Sequence, residues 1–387
     1  MIATTDVLEA GVPRLAVDDM LSDPGVRVIV CCGSGGVGKT TTAAALALRA
    51  AEAGRQVCVL TIDPARRLAQ SMGLTELDNT PRPIPDVANG SLSAMMLDMK
   101  RTFDEIVEAH ADSARAAAIL ENPFYQALST SFAGTQEYMA MEKLGQLRAE
   151  MGSDGPWDLI IVDTPPSRSA LDFLDASKRL GSFLDGRLIR LLAAPARGAG
   201  KFTSRVVAAS FGVFTNVLSK IIGAQVLQDI QVFVASFDAL FGGFRERAEA
   251  TYQQLKAPDT RFVVVAIPES DALREASYFV ERLEDEGMPL AGMVLNRVSP
   301  AHAVDLTAEA AEAGAEVLDD REEHATTAAL LHLHAERQRD IRRQAHLTES
   351  FTAAHPGVPI APVPAFGDDV HDLEGLRAIG EAAAQQP

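Results

Sequence analysis

Residues 33–40 read GSGGVGKT, between the apolar run RVIVCC at 27–32 and an Ala- and Leu-rich stretch at 39–53. That junction leaves few folds open. A short apolar run rich in β-branched residues is the pattern of a strand buried on both faces. The stretch after the glycines has helical composition and is closed by Gly54. QVCVLTI at 56–62 predicts a second buried strand. A strand, a helix and a second strand joined by a glycine turn form a βαβ unit with parallel strands.

The turn itself fits G-x-x-x-x-G-K-[ST] and has the context this pattern needs, a strand before and a helix after. Gly33, Gly35, Gly36 and Gly38 free the backbone so that N–H groups can curl around phosphates. The helix N-terminus adds its dipole. Lys39 is expected to reach the β- and γ-phosphates, and the Thr40 hydroxyl to coordinate Mg²⁺. Ser34, Val37 and Thr41 belong to the same expected ATP/ADP cradle. RGAGK at 197–201 looks similar, but Phe202 stands where Ser or Thr is needed and no strand precedes it, so it reads as a linker.

Further buried strands are predicted at 158–162 (DLIIV), 262–267 (FVVVAI), 291–295 (AGMVL) and 358–363 (VPIAPV), with a last helix from about 372 to 384. The alternation predicts an α/β fold with a doubly wound, mostly parallel sheet. Helical patterns at 101–150 and 170–256 interrupt the strands and predict an inserted α-helical subdomain. Residues 307–353 read as a helical, charged connection. The expected division is one domain with a nucleotide-binding core at 27–100, 156–175 and 258–387, and a helical subdomain at 101–150 and 176–257. Asp63 and Asp163 each follow a predicted strand, at the carboxyl ends where ligands of parallel sheets sit. Asp163 reads as a Mg²⁺ ligand, direct or through water. Asp63 reads as the group that orients or deprotonates the attacking water. Capping a following helix is the other role open to either aspartate.

Four blocks resemble the ArsA/Get-type ATPases, a branch of the deviant Walker-A P-loop class that also holds MinD, ParA and the nitrogenase iron protein. They are GSGGVGKTT at 33–41, TIDPARRL at 61–68, VDTPPSRSALDFL at 162–174 and VLNR at 294–297. The resemblance implies ATP hydrolysis in a dimer, with Asp63 as the switch I acid and Asp163 as the switch II acid. It implies that Asn296 recognises adenine, with Pro268, Glu269 and Pro364 near the base. The family's signature lysine, one place after the first glycine, is Ser34 here, as in a bacterial member without that lysine. The segments usually read as DPAH and DTAPTGH carry Arg66, Arg168 and Ser169. Ser34 has no charge to lend across a dimer, so the expected partner is a paralogous ATPase subunit that carries the lysine; the alternatives are Arg66 or Arg168 filling that role within this chain, or a nucleotide-binding regulatory subunit with little hydrolysis of its own.

The formal net charge of −18 argues against nucleic-acid binding and against docking on anionic lipid. The three cysteines, Cys31, Cys32 and Cys58, form no CxxC pair. Neither the zinc bridge of the eukaryotic targeting relatives nor an arsenite-binding thiolate cluster is expected. The N-terminus lacks a basic start followed by an apolar core, and no apolar run reaches 18 residues, so a cytoplasmic protein without stable membrane insertion is expected. Residues 202–244 are apolar with few charges. They read as packed helices, with a groove for a hydrophobic client or membrane-protein segment as the alternative implied by the targeting relatives.

Overall fold

The computed structural model describes residues 11–63, 67–123, 125–126, 136–152, 155–165, 246–247, 249–303 and 305–385. Arg66, Arg168, Ser169, the linker at 197–201 and the apolar stretch at 202–244 lie outside the described residues.

In chain order the elements are α1 (Val17–Ser22), β1 (Val28–Cys32), α2 (Lys39–Glu52), β2 (Gln56–Thr61), α3 (Arg67–Ser71), β3 (Arg82–Pro83) and β4 (Ser91–Met96). There follow α4 (Met99–His110), α5 (Ser113–Leu120), α6 (Gln136–Ala149) and β5 (Leu159–Asp163). The rest are β6 (Thr260–Ala266), α7 (Ser270–Asp285), β7 (Leu290–Val298), α8 (Ala308–Leu318), α9 (Ala325–Ala354), β8 (Ile360–Pro364) and α10 (Leu373–Ala384).

The strands form one sheet in the order β3-β4-β2-β5-β1-β6-β7-β8, parallel throughout except where β3 pairs antiparallel with β4. The chain is therefore an α/β protein with a mostly parallel sheet. All five residues of β1 are buried, as they must be in a strand flanked on both sides and covered on both faces. Alternate residues of the central strands, Ile29, Val59, Ile161 and Val265, join one apolar cluster with α2 and α10. Alanine-rich α2 buries Ala43, Ala44, Ala47, Ala50 and Ala51. Side chains this small let α2 lie close to both the sheet and α10.

Two strand ends differ from the sequence expectation. β5 runs through Asp163, because Asp163 stands in register with both Cys31 and Thr61 and its carbonyl accepts from the Ile62 N–H at 2.9 Å. β7 runs on to Val298, so Asn296 lies within a strand rather than after one. β3 and β4 were not expected. SLSAMM at 91–96 lacks β-branched residues, yet Leu92 and Ala94 point into the core while Ser91 stays exposed.

The described chain separates into two compact units. One holds the sheet: Met1–Met96, Met151–Ala170 and Leu255–Pro387. The other is Leu97–Glu150 with Leu171–Gln254, and its described elements are helical. Within the second unit, Asp98 caps α4 and Asp112 caps α5 through backbone N–H groups three residues on. Buried Glu142 pairs with Arg247 at 2.7 Å, and Lys143 pairs with Glu105 at 3.0 Å. Among the described residues, no helix is long and apolar enough to cross a membrane.

Candidate functional site

β1 is the point where the sheet order reverses, with β5 on one side and β6 on the other. In open parallel sheets, ligands bind beyond the carboxyl ends of the strands at such a switch point. Here a cleft of about 1040 Å³ opens there. Its lining includes Gly36, Gly38, Lys39, Thr40, Thr41 and Asp63 on one side, and Asn296, Arg297 and residues 364–371 on the other.

The loop from β1 to α2 is held by two close approaches. A Cβ on Gly33 would stand 2.1 Å from the Val265 carbonyl oxygen of β6. One on Gly38 would stand 2.3 Å from Asn296 Nδ2. Gly38 also sits at φ 93° and ψ 24°, a left-handed backbone that glycine adopts without steric cost. It offers no side chain to cap α2, and no acid occupies the first turn. The amide groups and positive dipole end of α2 therefore remain available to an anion.

Lys39 is buried, and its ammonium donates to the Ser34 carbonyl at 2.8 Å, closing the loop on itself. Burial lowers its pKa, while the neighbouring Asp163 carboxylate opposes that shift.

Asp163 is wholly buried at the end of β5. Its Oδ2 accepts from the Thr61 hydroxyl at 2.8 Å, and the same hydroxyl accepts from the Asp63 N–H at 3.2 Å. One side chain thus links the two acids. Asp163 Oδ1 is buried and, among the described residues, has no hydrogen-bond partner. Burial pushes the Asp163 carboxyl up to about 6, against the hydroxyls of Thr61 and Thr40 and the charge of Lys39. The Thr40 hydroxyl thus acts on the Asp163 carboxylate without a well-formed hydrogen bond to Oδ1, and the two groups together make a set of oxygen ligands that suits a hard divalent cation.

The other expected contacts divide. Asn296 is buried and donates from Nδ2 to the Val37 carbonyl at 2.9 Å, so one of its hydrogens is committed to the loop. Pro364 lines the cleft. Pro268 and Glu269 open α7 at the end of β6 and are not among the lining residues. Gly33, Ser34, Gly35 and Val37 build the loop without lining the cleft. Cys31, Cys32 and Cys58 are buried free thiols; burial raises the pKa of Cys31 and pushes that of Cys32 up to about 12. Thiols so held stay protonated. Sequence reading missed Thr61 and Arg297. The visible signal for Thr61 was a hydroxyl closing an otherwise apolar strand.

The family model described as anion-transporting ATPase matches residues 26–324. ATPase GET3 of Malassezia globosa is 27% identical over 77% of this chain and 80% of its own length. Its counterpart in Schizosaccharomyces pombe is 28% identical over 73% and 76%. A protein of Mycobacterium bovis, named provisionally as an ATPase, is 22% identical over 100% of this chain and 99% of its own. With the family model covering the loop, both acids and Asn296, this chain belongs to the anion-transporting ATPase family and is an ATPase.

Proposed function

We propose that the chain binds Mg–ATP in the cleft beyond β1, hydrolyses it there, and does so in a dimer with a related subunit that carries a lysine where Ser34 stands. The observation that carries the reading is the chain of contacts from Asp63 through Thr61 to Asp163. It ends in a buried carboxylate oxygen that has no hydrogen-bond donor among the described residues. Asp163 and Thr40 would hold the cation, which supplies charge shielding on the phosphates. Lys39 leaves the Ser34 carbonyl and turns to the β- and γ-phosphates. The α2 amides meet the phosphate oxygens. Asp63 accepts a hydrogen bond from the attacking water and aims its oxygen at the γ-phosphorus. A new P–O bond forms, the bond to the β-phosphate bridging oxygen breaks, and ADP leaves with that electron pair. Asp63 would take the water's proton.

What the loop lacks supports a partner that supplies a cation. Ser34 carries no charge, and its carbonyl is occupied by this chain's own Lys39. A cation supplied in trans to a transferring phosphoryl group is worth about 10³- to 10⁵-fold in rate. The expectation is slow steady-state ATPase by the isolated chain and a rise of about that size when it is co-expressed with its native neighbours. Brisk hydrolysis by the isolated chain, lost in Arg66→Ala or Arg168→Ala, would overturn the partner and place the cation in this chain.

A further inference from the structure

Between Leu295 and Val298, β7 advances three residues while its partner β8 advances two, from Pro362 to Pro364. The extra residue makes a bulge, and bulges re-aim side chains. Here the bulge holds Arg297 at φ 57°, inside a strand. A non-glycine residue pays strain for that backbone, and such strain is retained chiefly where a site uses it. Glycine would fit without strain, yet the position carries the longest cationic side chain.

What surrounds Arg297 gives it a task. Asn296, one residue before, turns to the phosphate loop. Arg297 is exposed and lines the cleft together with Pro364 and Phe366. Among the described residues it enters no hydrogen bond or ion pair, although Asp368 and Asp369 line the same cleft. Lys39 and Arg297 are the only Lys or Arg side chains among the described residues lining it, in a chain of net charge −18. Lys39 belongs to the phosphate end.

We infer that Arg297 is a nucleotide-binding residue for the nucleoside end of ATP, where its guanidinium packs on the purine face beside Pro364 and Phe366. A guanidinium is planar and weakly hydrated, and it gains from an aromatic face as well as from nearby negative charge. The inference rests on the reading of this cleft as the ATP site.

Arg297→Gly separates binding from folding, because glycine accepts the backbone that arginine must be forced into. Titration calorimetry with Mg–ATP and with Mg–ADP, on the full chain, is expected to show both affinities falling together by roughly five- to thirtyfold. The thermal midpoint of the nucleotide-free variant should be no lower than that of the wild type. Unchanged affinity would overturn the assignment, and so would a loss confined to ATP, which would move Arg297 to the γ-phosphate. A lower midpoint accompanying weaker binding would reduce Arg297 to a prop for the bulge and would overturn it too. Lys39→Ala, run in parallel, should lose nucleotide binding. If the wild type itself binds no nucleotide, the reading of the cleft fails and this inference fails with it.

Discussion

Asp163 shows how single atoms divide the work at this site. Its two oxygens have different fates: one is held by the Thr61 hydroxyl, the other is buried and has no hydrogen-bond donor among the described residues. Without nucleotide, ionising this group costs folding free energy. Its pKa rises from 3.8 to about 6, so between those values the folded state holds a proton that the unfolded state has released. The associated stability is present below about pH 4 and lost as pH rises through 6. At about 1.36 kcal/mol per unit, the penalty at pH 8 is at most about 3 kcal/mol. Asp163→Asn should therefore raise the thermal midpoint of the nucleotide-free protein at pH 8, by less than the full amount because an amide also leaves a buried group unpaired. The advantage should shrink as pH falls towards 4. Equal midpoints of variant and wild type at both pH values would contradict the account.

Among the elements, legibility followed composition. β1, β2, β5, β6, β7 and β8 were visible because each is a compact apolar run. β4 was not, because serines at 91 and 93 lower its β-propensity and its burial depends on pairing with β2. The glycine loop at 33–40 and the placing of Asp63 and Asp163 at strand ends were legible from the glycine spacing and the apolar runs before them. The bulge at Arg297 was not, since it exists only as a mismatch of register between β7 and β8. Arg55 was likewise invisible. It is buried beneath the amino ends of β1 and β5. Its guanidinium donates to the carbonyls of Leu21, Asp23, Val26 and Asp158, and it pairs with the Asp158 carboxylate at 2.6 Å. Removing it leaves buried carbonyls unpaired. Arg55→Met should cost about 3 kcal/mol, read as a lower urea midpoint with an unchanged slope. A shift below about 0.5 kcal/mol, the scatter of ordinary surface changes, would show the fan of bonds to be dispensable.

For the whole molecule, charge and site point in different directions. A net charge of −18 repels a nucleotide at a distance. On the proposed reading, binding comes from fixed local groups instead: the α2 amides, Lys39, Arg297 and a cation that Thr40 and Asp163 would hold. The sheet brings these together from segments more than a hundred residues apart, by setting β5 and β2 side by side at the level of Thr61 and Asp163. The most direct test of the account is single-turnover hydrolysis by wild type and Asp63→Asn at matched occupancy of Mg–ATP, in the presence of the native neighbours. An amide keeps the shape of the carboxylate but is a poor base, and a positioned acid–base group is worth about 10²- to 10⁴-fold. The predicted result is unchanged Mg–ATP affinity with turnover reduced by at least about a hundredfold. Turnover at the wild-type rate in Asp63→Asn would contradict it.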